Sequence, residues 1–463
     1  MYTGHNRAYI PCNRRSNIPQ NHISYLKINP KWFALQHGFA GIQFIRHAKG
    51  CKGCTFAVMA TFQRHIPPSL GRSVAEALQA IFIDRRYADK VIEYTLRNNP
   101  KAGSADRAFI AESTYEVVRY YRLYAELLGH QPQGIDDFWQ LLAVHLLVRK
   151  DIWPAWRELD GLDRATIQAR MEAPDLPRAV RESVPDWIDQ TGLQELGALW
   201  PPTLHALNQP ARVVLRTNTL KTTREDLLHR LAEEGIEAGP HGPSEAVVLT
   251  RRKNVFQTGA FKAGWFEVQD YSSQQVARML APEPGMRVVD ACAGGGGKTL
   301  HLSALMGGKG SLIALDTLAW KLEALRLRAR RAGASNIDTR VIDSSKVIKR
   351  LHGSADRLLL DVPCSGLGVL KRNPDTKWKL EAEELQRLQA TQQHLLQTYS
   401  LMLRPGGKMV YATCSVLPAE NNLQVASFLD TPVGTTFRLL REQTILPQEE
   451  GFDGFYLALL EKQ

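Results

Sequence analysis

Two cysteines sit in matching places, Cys364 in Asp361-Val362-Pro363-Cys364-Ser365-Gly366 and Cys414 in Thr413-Cys414-Ser415. Each follows a short apolar run that reads as a buried strand, Leu358–Leu360 before the first and Met409–Ala412 before the second. In an open α/β sheet, ligands bind at the carboxyl ends of the strands. Both thiols are therefore expected to face one crevice. The six cysteines (12, 51, 54, 292, 364, 414) are few and scattered, which argues against a disulfide framework. Paired thiols at strand ends point instead to nucleophilic chemistry. The competing reading is plain core packing, and the Asp and Gly beside these thiols weigh against it.

A second constellation lies upstream. Asp290-Ala291-Cys292-Ala293-Gly294-Gly295-Gly296-Gly297-Lys298-Thr299 follows an apolar strand and opens a helix. The Gly-Lys-Thr ending resembles a phosphate-binding P-loop, but that motif needs a glycine where Cys292 stands. The dinucleotide fingerprint fails too, because its third glycine would fall on Thr299. What remains is a loop that lets a ligand approach the backbone closely. Acidic residues then end successive strands: Asp290, Asp316, Asp343 and Asp361. A carboxylate at the second strand end can accept hydrogen bonds from ribose hydroxyls, and one at the third can meet an adenine amino group. An adenosine ligand without phosphates fits this pattern, and S-adenosylmethionine is such a ligand. Any one of these acids alone would read as a loop or helix cap; four in series after a glycine loop favour the ligand.

The elements that must carry these residues alternate after Pro284-Gly285. Strands are predicted at 287–291, 312–315, 340–342, 358–360 and 408–412, with helices such as Ala319–Ala332 and Glu381–Leu403 between them. That alternation predicts an α/β fold with a mostly parallel sheet and helices on both faces. Upstream the pattern is helical. Ser73-Val74-Ala75-Glu76 fits a capping box, and helices are expected at Asp89–Leu96, Ser104–Leu128 and Asp136–Val148. The stripe Val117, Tyr120, Tyr121, Tyr124 is expected in the helix core rather than as a base-stacking platform. Four regions follow: 1–72, 73–182 all-α, 183–278 mixed, and 279–463 carrying both constellations.

The formal charge of +11 invites a nucleic-acid partner. Residues 1–72, however, hold ten Lys or Arg and no acid, which leaves 48 basic against 47 acidic residues elsewhere. RNA contact by the rest then needs local clusters. Lys371, Arg372 and Lys377 are candidates, while Arg326, Arg328, Arg330 and Arg331 are expected on a solvated helix face. Residues 1–72 read as a basic arm, a targeting leader, or sequence upstream of the true start, and Met59 favours the last. Cys51-x-x-Cys54 lacks a second matching pair, so free thiols are expected there and no metal. No apolar run approaches a membrane span and no secretory signal is evident, so a cytoplasmic location is expected.

In order along the chain, the motifs resemble the RsmB/Nop/Sun family of RNA cytosine-C5 methyltransferases. They are Arg216-Thr217-Asn218-Thr219-Leu220-Lys221, Phe266–Ser273, Asp290–Thr299, Asp361–Gly366, Gly368–Asp375, Arg404-Pro405-Gly406-Gly407, Thr413-Cys414-Ser415 and Asp453–Tyr456. They cover about 183–463. Asp106–Glu112 and Val117-Val118-Arg119 carry a weaker likeness to the NusB-like RNA-binding domain of the bacterial branch. One departure stands out: the family loop is often Ala-Ala-Pro-Gly-Gly-Lys, and here 293–298 reads Ala-Gly-Gly-Gly-Gly-Lys. Losing proline loosens the free loop.

The resemblance implies a Rossmann-like methyltransferase core, S-adenosylmethionine as cofactor, and RNA, above all small-subunit ribosomal RNA, as substrate. Cys414 would attack cytosine C6, Cys364 would assist breakdown of the adduct, and Asp361 would meet N3 as a protonated acid. Cys292, Ala293, Gly294, Gly295, Gly296, Gly297 and Lys298 would hold the methionine part, Asp316 the ribose and Asp343 the adenine, with Asp361 counted among the cofactor residues as well. Lys298 would orient a carboxylate or the loop. DNA cytosine methyltransferases use the Pro-Cys thiol instead, which would promote Cys364; the Thr-Cys-Ser motif supports the RNA family. A monomer is expected. Transfer RNA as the substrate, or an RNA-binding assembly role with dispensable catalysis, are the competing functions.

Overall fold

The computed structural model describes residues 66–172, 175–243 and 245–463. Residues 1–65, with Cys12, Cys51, Cys54 and Met59, lie outside them. Among the described residues no helix is long and apolar enough to cross a membrane.

The chain begins with helices Pro68–Phe82, Ala88–Asn98, Ser104–Arg119, Tyr121–Leu128 and Ile135–Lys150. Their apolar stripes meet in one core that includes Val74, Leu78, Ile110, Val117, Tyr124, Phe138 and Leu142. Tyr124 and Val117 are fully buried there, and Tyr120 and Tyr121 pack against them, so the stripe is core. The capping box expected at Ser73 does not exist. Pro68 opens the helix five residues earlier, as proline at a first turn can, and the Ser73 hydroxyl donates back to the Ser69 carbonyl inside it. The expected boundary at 72/73 therefore falls within a helix. The long helix expected over 104–128 breaks at Tyr120, where φ is −111° and ψ 24°.

A small antiparallel sheet follows. Its strands are β1 (Val214–Thr217), β2 (Ala238–Pro240), β3 (Ala246–Leu249) and β4 (Phe266–Val268), in the order β2-β3-β1-β4. Arg216 on β1 stands opposite Glu267 on β4. Leu215, Val247 and Phe266 form its core with Leu227 and Leu231 of the helix Arg224–Glu233.

The main sheet has seven strands: β5 (Arg287–Asp290), β6 (Ser311–Asp316), β7 (Ile337–Val341), β8 (Ala355–Asp361), β9 (Leu403–Thr413), β10 (Phe437–Ile445) and β11 (Phe455–Lys462). Their order is β10-β11-β9-β8-β5-β6-β7. Strands β5 to β9 pair in parallel, and β11 runs antiparallel to β9. Consecutive residues point to opposite faces. Val289, Leu358, Leu360 and Tyr411 join a core with Leu396 and Phe428, while Val288, Leu359 and Val410 join another with Val276 and Leu302. Helices thus cover both faces, as the alternation predicted. The order reverses at β5, which has β6 on one side and β8 on the other. Such a switch point opens a crevice at the strand ends.

The segment after Cys364 is packed under the helical region. Arg119 donates to the carbonyls of Leu370 (3.3 Å) and Lys371 (3.0 Å). The Trp378 indole donates to Val118 O (2.7 Å), and Asp375 accepts from the Ala88 amide (3.0 Å).

Candidate active site

Strands β8 and β9 run side by side with Asp361 opposite Ala412. Cys364 and Cys414 leave the sheet just beyond that pair, and their Sγ atoms are 3.3 Å apart. Both are free and half-buried. The Cys414 amide also donates to Cys364 Sγ at 3.3 Å. The Cys364 thiol is pushed well above its ordinary pKa, first by its hydrogen bond to Cys414 and then by burial; the backbone amide of Gly366 opposes this and loses. Hydrogen bonding and burial thus both favour the protonated form of Cys364.

Both cysteine turns rest on buried polar residues that sequence patterns did not reveal. Glu420, wholly buried, accepts from the Ser365 amide (2.8 Å), the Ser365 hydroxyl (2.5 Å) and Gln392 Nε2 (3.0 Å). Asn421 accepts from the Thr413 hydroxyl (2.5 Å) and donates to Ser415 O (3.1 Å). The one signal available was that each catalytic-type cysteine precedes a serine; the two hydroxyls lie 3.2 Å apart. Gly368 closes the turn. Its amide donates to Cys414 O (2.9 Å), and a Cβ there would lie 2.2 Å from Gly454 O.

Lys298 reaches across from the glycine loop to Asp361 Oδ2 at 2.6 Å. Burial works against its ammonium, but the Asp361 carboxylate outweighs this and lifts the lysine above its usual value. Asp361 is therefore the carboxylate that Lys298 meets.

The loop itself spans the gap between β5 and the helix Gly297–Leu305. Gly294 and Gly296 adopt φ of +54° and +84°, a region that favours glycine. Asp316 accepts from the Gly294 amide (2.9 Å) and the Leu318 amide (2.8 Å), so it shapes the loop as well as standing at the end of β6. Asp343 is exposed just past β7 and pairs with the Ser344 hydroxyl (3.0 Å). Asp290 takes the Thr299 hydroxyl on one oxygen (2.7 Å), while Oδ1 is buried without a partner. Burial raises its pKa to about 7. The Cys292 side chain packs partly against the core under the sheet, and burial, then the nearby carboxylates of Asp290, Asp361 and Asp316, push its thiol well up.

These residues fit S-adenosylmethionine. Around Gly294 a Cβ would meet nothing within 4 Å, so the cradle is open. The first-turn amides of Gly297–Leu305 suit a carboxylate, and the orphaned oxygen of Asp290 suits an ammonium.

The basic residues named as RNA contacts are spent elsewhere. Lys371 and Lys377 are buried. Lys371 donates to Gly451 O (2.7 Å), and Lys377 to Arg119 O (2.8 Å) and Asn208 (3.2 Å). Arg372 bridges Asp270 (2.7 Å) and Asp453 (2.6 Å). Arg328 and Arg331 are likewise not on a solvated face, since both bind the buried Glu267.

Residues 277–461 match the family described as 16S rRNA methyltransferase RsmB/F, and residues 184–256 match a ferredoxin-like domain described for RsmF/B-like methyltransferases. A Synechocystis protein described as a probable ribosomal RNA small subunit methyltransferase B is 32% identical over 433 residues, covering 82% of this chain and 97% of its own. The ribosomal RNA small subunit methyltransferase B of Pasteurella multocida is 38% identical over 291 residues, 60% of this chain and 65% of its own. The crystal structure of a methyltransferase homologue from Pyrococcus horikoshii superposes with a TM-score of 0.55 at 28% identity, over 62% of this chain and 98% of its own. On the match with nearly the whole Synechocystis protein, the chain belongs to the RsmB/F family of 16S rRNA methyltransferases.

Proposed function

We propose that this methyltransferase forms 5-methylcytosine in small-subunit ribosomal RNA through a transient Cys414–C6 adduct. The observation that carries this is the 3.3 Å approach of Cys364 and Cys414 at neighbouring strand ends, beside the Lys298–Asp361 pair. Cytosine C5 is a poor nucleophile. Addition of the Cys414 thiolate to C6 makes an enamine whose C5 is reactive, splitting one hard step into easier ones. The Lys298–Asp361 pair stands where it can hydrogen-bond N3 and the exocyclic amine as charge develops. Bound S-adenosylmethionine supplies the electrophilic methyl group. After transfer the C5 proton passes to solvent water, helped by Cys364 in contact with Cys414; its C–H electron pair re-forms the C5–C6 double bond, the C6–S bond breaks and the Cys414 thiolate is regenerated.

Cys292–Lys298, Asp316, Asp343 and Asp361 frame the cofactor side, and Asp290 at the end of β5 adds a buried carboxyl whose Oδ1 has no partner among the described residues. The target base must be flipped or single-stranded to reach thiols this recessed. The helical region 73–182 serves as a NusB-like RNA-binding domain in this reading.

The test is direct: incubate the protein with methyl-labelled S-adenosylmethionine and ribosomal or transfer RNA, then map the modified cytosines. Label at C5 of a small-subunit ribosomal cytosine is expected. Label only in transfer RNA would replace the substrate, and no label in any RNA would sink the proposal.

A further inference from the structure

The glycine loop has little stiffness of its own. Four glycines run from Gly294 to Gly297, and glycine carries the largest backbone freedom of any residue. One turn bond closes inside it, from the Gly296 amide to Ala293 O at 2.9 Å, and the rest of its fastening comes from outside. Asp316 holds the Gly294 amide, and Arg216 donates to Gly297 O at 2.7 Å. Between them Arg328, on the helix Ala319–Ala332, donates one guanidinium nitrogen to Gly295 O and the other to Glu267 Oε2 at 2.9 Å. Leu325 of the same helix lies where a Cβ at Gly296 would be, 2.1 Å away. Glu267 is itself immobilised. It is only 4% exposed, faces Arg216 across β1 and β4, and takes a second guanidinium from Arg331, which stacks on Phe261 at 3.8 Å.

We propose that Arg328 is a positioning residue of the cofactor loop: it ties the Gly295 carbonyl to the buried Glu267 and so holds the four-glycine turn in the shape that receives the methyl donor. This rests on the assignment of 292–298 to the cofactor. An unbraced glycine turn spends part of its time in other shapes, and apparent affinity falls with the competent fraction. A charge-assisted bond anchored at its far end by a carboxylate removes that loss. Arg328 takes over a role that a stiffer backbone would fill. Gly295 is the position for such a backbone. Its φ lies outside the left-handed region, its amide has no partner among the described residues, and a Cβ there would meet nothing nearer than Arg328 Nη1 at 3.4 Å. A proline there would forfeit no backbone hydrogen bond and would meet no backbone atom.

The experiment uses the full chain without RNA. Binding of S-adenosylhomocysteine is measured by calorimetry, and hydrogen exchange is followed in the peptide 292–299, for Arg328→Met, Arg328→Lys, Gly295→Pro, Arg328→Met/Gly295→Pro and Asp316→Ala. Arg328→Met is expected to weaken binding about tenfold, with Arg328→Lys between it and the parent. In a separate methyl-transfer assay with RNA present, the KM of Arg328→Met for S-adenosylmethionine should rise by the same factor while kcat stays within about twofold, the mark of lost ground-state binding. Exchange in 292–299 should quicken. In the Gly295→Pro background the cost of Arg328→Met should shrink to about threefold or less, because the two changes act on the same loop. Unchanged binding by Arg328→Met overturns the proposal, and so does an equal cost in both backgrounds. If Gly295→Pro does not fold, exchange decides: parent-like protection of 292–299 in Arg328→Met overturns it. Asp316→Ala separates the two levels. If it abolishes binding and Arg328→Met is silent, the brace fails alone; if neither changes binding, the cofactor assignment fails and takes the brace with it.

Discussion

Two thiols in contact at neighbouring strand ends can divide the work, one attacking and the other assisting release. The Cys364 thiol is held above its ordinary pKa by its bond to Cys414 and by burial, and in the function proposed above Cys414 attacks. Cys364→Ala is therefore expected to accumulate a covalent RNA–protein adduct on denaturing gels, and Cys414→Ala to form none. RNA trapped by Cys414→Ala instead would reverse the assignment. Asp290 makes a separate prediction. Its carboxyl is raised from 3.8 to about 7 by burial. The folded protein thus keeps a proton that the unfolded chain has already released, and stability falls as pH rises between about 4 and 7, then levels. Asp290→Asn removes that slope and preserves an acceptor for Thr299. Its melting temperature relative to the parent should climb across this window; an equal difference at pH 5 and pH 8 would count against it.

At the scale of elements, the site depends on how turns are fastened to strands. Gly368 sits between the Cys414 turn and Gly454, with no room for a methyl group. Gly368→Ala should cost about 1–3 kcal/mol through overpacking, read by denaturant titration, and lower kcat with little effect on cofactor binding. Parent-like stability would show that the turn gives way freely. The Arg372 bridge is a second fastening. Asp270 and Asp453 are 4% and 2% exposed, so Arg372→Met strands two buried acids and should destabilise by about 3–5 kcal/mol. Burial, then Asp270, already raises Asp453 to about 6. Losing the arginine raises it further, so the cost of the substitution should grow above about pH 6.

At the scale of the molecule, the helical region supports the loop that follows Cys364. Arg119 lies 251 positions from Leu370 in sequence, yet it caps that loop's carbonyls. Arg119→Met should slow methyl transfer several-fold while S-adenosylhomocysteine binds as in the parent. Equal losses in both would mean general unfolding rather than a displaced loop.

Local pattern determined a good deal. The helix Ala319–Ala332 has the predicted ends, and the parallel core, the glycine loop and both cysteine turns stand where apolar runs and strand-end polar residues put them. These are features of a few consecutive residues, and period and turn chemistry act at that range. Strand β7 was misplaced toward 340–342 because it is an exposed edge with no apolar run to read. Strands β10 and β11, which complete the sheet, were not foreseen. Tertiary structure alone decided how charged side chains are used. In a string of letters Lys371, Arg372 and Lys377 look like phosphate contacts and Arg328 and Arg331 like a solvated face, but the fold buries their partners beside them, and a buried carbonyl or carboxylate that would otherwise lack a partner claims the nearest cation. Glu420 was invisible for the same reason, since the pairing of β8 with β9 brings Ser365 to it, while Asn421 reaches Thr413 and Ser415 through the turn that follows β9.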